Sequence, residues 1–243
     1  MRYFVHLSFN GTHYHGWQIQ KNAPSVQASL EDALSRILGE PLTVTGCGRT
    51  DTGVHARDFR AHFNYSGNPL RCEGLAYKVN AILPHDIYVY DILPVPGNLH
   101  ARFHAVSRTY RYFIRRNKEP FLESLTAAPG TYSPLLPDID LMNKAAELLL
   151  GTHDFTSFSK LHSQTCTNIC TITEAYWFSM ELEMGASPLW VFQVTADRFL
   201  RNMVRCMVGS LLEVGKGKKP VEWILQLLEE KNRSLAGHSV PPE

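Results

Sequence analysis

Apolar and polar positions alternate along residues 2–9, the period-two pattern of a strand with one buried face. Over residues 25–38 the rhythm changes. Val26, Leu30, Ala33, Leu34, Ile37 and Leu38 recur at three- and four-residue spacing, which predicts a helix with Ser25 as its N-cap and Gly39 as its stop. Residues 42–47 and 59–65 read as strands, 70–82 as a helix and 86–93 as a strand, with Pro94 and Pro96 closing the unit. The order β-α-β-β-α-β is the ferredoxin-like arrangement.

The second half repeats this order without any visible sequence repeat. Residues 107–115 predict a strand and 138–150 a helix stopped by Gly151. Strands are expected at 171–183 and 189–196, then an amphipathic helix at 199–214 and another at 221–231. That is β-α-β-β-α with one extra helix, and the sequence reaches Pro241-Pro242-Glu243 where a closing strand would begin. The expected fold is therefore α/β in the α+β sense. It has two ferredoxin-like halves, residues 1–98 and 99–243, whose largely antiparallel sheets flank a central basic cleft. The Pro-rich stretch 129–137 reads as an exposed loop.

Composition narrows the function classes. With 243 residues, 44% of them hydrophobic, the chain is large enough to bury a sizeable core. The N-terminus lacks the apolar run of a signal peptide, and no stretch approaches the length of a membrane span. Five cysteines (47, 72, 166, 170, 206) at irregular spacings read as reduced thiols, which predicts a cytoplasmic location. The formal net charge is only +1, but the charge is unevenly placed. Residues 101–118 hold Arg102, Arg108, Arg111, Arg115, Arg116 and Lys118 with no acid. Residues 197–219 hold Arg198, Arg201, Arg205, Lys216, Lys218 and Lys219 against Asp197 and Glu213. One such run alone is ordinarily a solvated face. Two on a nearly neutral chain suit a directed polyanion site.

The segment richest in chemistry is Gly46-Cys47-Gly48-Arg49-Thr50-Asp51-Thr52-Gly53-Val54-His55-Ala56, a glycine-punctuated loop after a short strand. Arg49, Arg57 and Arg60 around Asp51 favour its ionised form, and an ionised, rigidly held carboxylate serves as nucleophile, base or ligand. An aspartate capping its own turn fits the same residues. Asp51-Thr52-Gly53 is also the aspartic-protease triplet, but that chemistry needs two such aspartates and the chain has one copy. His162, Cys166 and Cys170 are four apart, a spacing open to zinc, yet no fourth ligand is evident. Gly215-Lys216-Gly217-Lys218-Lys219 lacks P-loop spacing.

Gly48 through Ala56 resembles the signature loop of the TruA-type tRNA pseudouridine synthases. Further segments resemble that family in the same order. They are Gly11 through Gln20, Ser25-Val26-Gln27 through Leu34, Asn80 through Ile87, Ala101-Arg102-Phe103, Arg108-Thr109-Tyr110-Arg111-Tyr112, His153 through Phe158 and Phe199 through Arg205. Together they span nearly the whole chain. Asn10 stands where the family often has Asp, and the resemblance implies a final apolar strand after Pro241-Pro242-Glu243 that is expected to be absent here.

The resemblance implies a tRNA pseudouridine synthase that needs no cofactor and no metal. Asp51 would be the nucleophile toward uridine, attacking C6 of the base or C1′ of the sugar. Tyr110 would stand in the active site and Arg205 would pair with Asp51. Arg49, Arg108, Arg201, Arg115 and Arg116 are the expected RNA-binding residues, Arg201 and Arg205 lying four apart on one helix and so pointing one way. The implied target is the tRNA anticodon stem-loop, around positions 38 to 40, and the implied assembly a homodimer. A non-catalytic RNA-binding module would share the basic runs but would not need Asp51.

Overall fold

The computed structural model describes residues 1–128, 137–160, 167–182 and 187–241, and contacts divide the chain into two compact units, Met1–Ala105 and Val106–Glu243. The sequence pattern had set the division at 98/99. The stretch 129–136, with most of the Pro-rich loop, lies outside the described residues, as do His162 and Cys166.

The first unit runs β1 (Arg2–Phe9), α1 (Val26–Leu38), β2 (Val44–Gly46), β3 (Ala56–Asn64), α2 (Leu75–Asn80) and β4 (Ile87–Val95). The strands form an antiparallel sheet in the order β2-β3-β1-β4, which is the ferredoxin-like order. Tyr3, Val5, Leu7 and Phe9 of β1 are buried, and so are Val26, Leu30, Ala33 and Leu34 of α1, so sheet and helix share one core. The predicted caps of α1 are in place. The Ser25 side chain accepts from the Ala28 N–H, and Gly39, at φ 75°, donates its N–H to the Ser35 carbonyl. The helix predicted over 70–82 is shorter because Gly74, at φ 73°, sets its first residue at Leu75.

The second unit runs β5 (Arg108–Ile114), α3 (Ile139–Glu147), β6 (Gly151–Asp154), β7 (Ile169–Met180), β8 (Leu189–Ala196), α4 (Met203–Gly215) and α5 (Trp223–Glu230). Its antiparallel sheet has the order β5-β8-β7-β6. The strand β6 was not predicted. It is four residues long, carries no alternation, and pairs only through its register with β7, Gly151 against Ile172 through Asp154 against Ile169. It extends the sheet beyond β7, whereas a ferredoxin-like closing strand would lie beside β5. The core joins Met142, Ala145 and Ala146 of α3 with Cys206, Met207, Val208 and Leu211 of α4 and with Trp177, Phe192 and Val194 of the sheet.

The largest departure is at the start of α4. A helix was predicted over 199–214, but Asn202 takes a left-handed backbone at φ 66° and the helix begins at Met203. Asn is one of the few side chains that tolerate this conformation. Its amide donates to the Ser239 hydroxyl at 2.6 Å. Arg201 thus lies in the turn before the helix. It does not share a helical face with Arg205, and the expectation that both point one way is corrected.

Candidate active site

The Asp51 loop joins β2 to β3 and is fastened along its length. At its entry Gly46 is buried under the rings of Trp17 and Phe59, whose centroids are 4.4 Å apart. A Cβ at Gly46 would stand 2.6 Å from Trp17 and 2.9 Å from Phe59, so only glycine lets β2 pass beneath them. Next, Cys47 donates its N–H to the Arg60 carbonyl at 2.7 Å. The Thr50 hydroxyl then accepts the Trp17 N–H at 3.0 Å. Beyond Asp51, Gly53 donates its N–H to the Tyr14 carbonyl at 3.2 Å, and Val54 closes a turn onto the Asp51 carbonyl at 3.2 Å. His55 Nδ1 accepts the Gly11 N–H at 3.0 Å.

Three of those bonds come from one segment, residues 11–17. It approaches closely enough that a Cβ at Gly11 would lie 2.1 Å from the Val54 carbonyl oxygen. The segment is itself anchored. The Tyr14 hydroxyl donates to Asp86 at 2.7 Å, and burial, followed by the facing Asp86 carboxylate, raises its pKa far above the usual tyrosine value. It therefore remains a donor at any ordinary pH. Asp51, half-buried, stands between two shoulders held by the same neighbouring segment.

The edge strand β2 is held from α1. Gln27, buried, donates to the Val44 carbonyl at 3.0 Å and accepts the Ile19 N–H at 3.1 Å. Glu31 accepts from the Val44 N–H at 2.8 Å and from the Gln27 amide at 2.9 Å. These supports were not foreseen in the sequence, although Gly11, Gly16 and Gln27 stood inside the segments that carry the family resemblance. Two of the flanking arginines have partners of their own. Arg49 Nε donates to Gln18 at 3.1 Å, and Arg60 pairs with Asp58.

In the second unit Arg108, Tyr110, Tyr112 and Ile114 alternate onto one face of β5. Tyr110 is half-buried, with its ring edge-on to Phe199 at 4.9 Å and 78°. Arg108 Nη1 donates to the Asp197 carbonyl at 2.7 Å. Arg205, half-buried in the first turns of α4, donates from Nε to the Val240 carbonyl at 2.7 Å, and its own carbonyl accepts the Val240 N–H at 3.2 Å. That two-way bond lays residues 237–240 along α4. There Gly209 passes so close that a Cβ would meet the His238 carbonyl oxygen at 1.8 Å.

The two arginines expected to act together in RNA binding differ in surroundings. Arg115 is only 9% exposed at its side chain. Its Nη2 pairs with Glu123 at 2.8 Å, and its Nη1 donates to the Thr126 carbonyl and, at 3.0 Å, to the Thr126 hydroxyl. Its guanidinium ties the 120–127 segment to the end of β5. Arg116 is exposed. Among the described residues no group of three or more His, Cys, Asp or Glu side chains is placed to hold a metal ion, and no helix is long and apolar enough to cross a membrane. Cys170 is buried in β7, where burial pushes its thiol up to about 11.

Comparison with known proteins places this chain in a family. A tRNA pseudouridine synthase family model matches residues 145–243. The tRNA pseudouridine synthase A of Bacteroides fragilis is 49% identical over 99% of this chain and 92% of its own length. That of Porphyromonas gingivalis is 47% identical over 99% and 92%, and that of Chlamydia felis 39% over 97% and 85%. These relatives place the chain among the RNA-modifying isomerases. The chain belongs to the tRNA pseudouridine synthase A family.

Proposed function

We propose that this chain isomerises uridine to pseudouridine in tRNA with Asp51 as nucleophile, and that its targets lie in the anticodon stem-loop around positions 38 to 40. The observation that carries the reading is the fastening of the Asp51 loop on both sides, at Thr50 and at Gly53 and His55. A carboxylate that must meet one carbon atom gains from being positioned before the substrate arrives.

The chemistry is balanced without a donor. Asp51 attacks C6 of the base or C1′ of the sugar, and the bond from N1 to C1′ breaks. The uracil turns, C5 bonds to C1′ as the carboxylate is released, the C5 proton leaves, and N1 takes up a proton, so that the product is an isomer of the substrate. The target base has to leave its stack to be reached, at a cost of a few kcal/mol. Tyr110 and Arg205 are assigned to the same reaction by the motifs in which they stand. Arg49, Arg108, Arg116 and Arg201 are assigned to the RNA backbone. A homodimer is the assembly this reading implies.

The test is release of the C5 hydrogen from labelled uridine in an unmodified tRNA transcript, with pseudouridine mapped by position. Wild-type protein is expected to convert uridine in the anticodon stem-loop. Asp51→Asn is nearly isosteric but uncharged, so it is expected to abolish conversion while tRNA affinity and melting temperature stay close to wild type. Turnover by Asp51→Asn near the wild-type rate would leave the aspartate as a turn-capping residue and remove the mechanism.

A further inference from the structure

After β4 the chain crosses residues 96–105 without regular secondary structure, yet much of its backbone is engaged. Every N–H from Leu99 to His104 donates. Leu99 reaches the Pro96 carbonyl at 3.0 Å, His100 reaches His104 Nδ1 at 3.0 Å, and Ala101 reaches His62 Nδ1 at 3.2 Å. Arg102 and Phe103 share His100 Nδ1 at 3.1 and 3.3 Å, and His104 returns to the His100 carbonyl at 3.1 Å. Arg2 adds a bond from Nη1 to the Leu99 carbonyl at 2.7 Å and braces itself on Asn64 at 3.0 Å. Three imidazoles act as backbone acceptors through Nδ1, which puts the ring proton on Nε2.

This rigid loop presents an aromatic ring to solvent. Phe103 is 75% exposed. Its ring lies stacked on His100, 4.2 Å away with planes 28° apart. His100 in turn meets His62 edge-on at 4.6 Å. His62 is 5% exposed, so the stack is rooted in the unit. The Arg102 guanidinium carbon stands 6.0 Å from the Phe103 centroid. An exposed phenylalanine on a mobile loop would be unremarkable. One held from behind by a stacked ring, on a backbone with no N–H to spare, is already ordered for whatever it meets, and binding it costs little further entropy.

We propose that Phe103 is a preformed stacking platform for an unpaired base of the tRNA. The proposal rests on the reading that this chain acts on tRNA. The charge around the ring argues for a nucleotide over a second copy of the chain. The Arg102 guanidinium stands beside it, and Arg2 is bonded into the same loop at the Leu99 carbonyl, two cations suited to the phosphates that accompany a stacked base.

The experiment titrates an unmodified tRNA transcript against wild type, Phe103→Ala, Phe103→Leu and Phe103→Trp over a series of salt concentrations. Phe103→Ala is expected to weaken binding roughly ten-fold with no change in salt slope, because stacking releases no counterions. Phe103→Leu is expected to behave like the alanine variant. Phe103→Trp should keep the affinity, with an indole emission that quenches as tRNA is added. Wild-type affinity in Phe103→Ala overturns the platform. Full rescue by Phe103→Leu also overturns it, since leucine has no ring face. A change confined to the monomer–dimer equilibrium in sedimentation overturns it in favour of contact between copies. Uridine conversion by wild type is measured separately. Phe103-dependent binding without conversion would sink the functional reading and leave the platform standing, and conversion with Phe103-independent binding would do the reverse.

Discussion

Gly16 and Thr50 lie so close that a Cβ on Gly16 would stand 2.2 Å from the Thr50 carbonyl oxygen. Thr50 precedes the candidate nucleophile, and the next residue after Gly16, Trp17, donates its N–H to the Thr50 hydroxyl. Gly16 also sits at φ 87°, where any side chain is strained. The closeness is what lets residues 11–17 hold the Asp51 loop, so the first prediction concerns this residue. Gly16→Ala is expected to displace Asp51 and lower kcat on the order of a hundred-fold, the scale for an active-site misplacement of about 1 Å. Single-turnover conversion of a tRNA transcript measures it. Melting should also fall, because the clash is with backbone. A variant with normal kcat would show that the loop keeps its shape without this contact.

Arg205 offers a test of planar geometry against charge. Its Nε is bonded to the Val240 carbonyl, and the guanidinium fixes the direction of the remaining nitrogens. Lysine keeps the charge but has neither the fork nor a donor at that position. Arg205→Lys is expected to lower kcat about ten- to a hundred-fold while tRNA affinity changes little. Separate measurement of single-turnover rate and binding decides it. A rate near wild type would mean that charge alone suffices.

Arg115 and Arg116 should separate cleanly. Arg115→Ala strips partners from Glu123 and the Thr126 carbonyl, so a loss of about 1–3 kcal/mol in stability is expected, with the salt dependence of tRNA binding unchanged. Arg116→Ala should leave melting alone and reduce the salt slope by about one. Thermal unfolding alongside salt-series binding reads both. The opposite pattern would reverse the assignment.

His62 predicts a pH dependence of stability. Burial, then the charge of Arg2, then His100 push its pKa down to about 4 from the usual 6.5. A histidine depressed in the folded state is folded neutral. Its contribution is intact above the unfolded value near 6.5 and is lost as pH falls from there toward 4. Protonation at Nδ1 would also remove the acceptor for the Ala101 N–H. His62→Gln keeps an acceptor without the titration. Between pH 7 and pH 4.5 wild type is expected to lose roughly 3–5 °C more in Tm than this variant. Parallel melting curves would show that His62 is not the titrating group.

What the sequence alone determined was local. The alternation of β1, the apolar face of α1 with Ser25 and Gly39 at its ends, and the glycine-rich Asp51 loop are written in neighbouring residues and appear at or near the expected positions. The ordered motifs likewise pointed to the family that the relatives bear out. What only the tertiary structure decided depends on partners distant in the chain. β6 is a strand because β7 offers it a register. α4 starts late because Asn202 finds Ser239, and Arg115 turns inward because Glu123 and Thr126 lie beneath it. The bonds that hold Asp51's neighbours cross more than 30 residues, from Trp17 to Thr50 and from Gly11 to His55. Periodicity reports which face of an element is buried. It does not report which carbonyl a distant N–H will meet, because that is settled only when the elements pack.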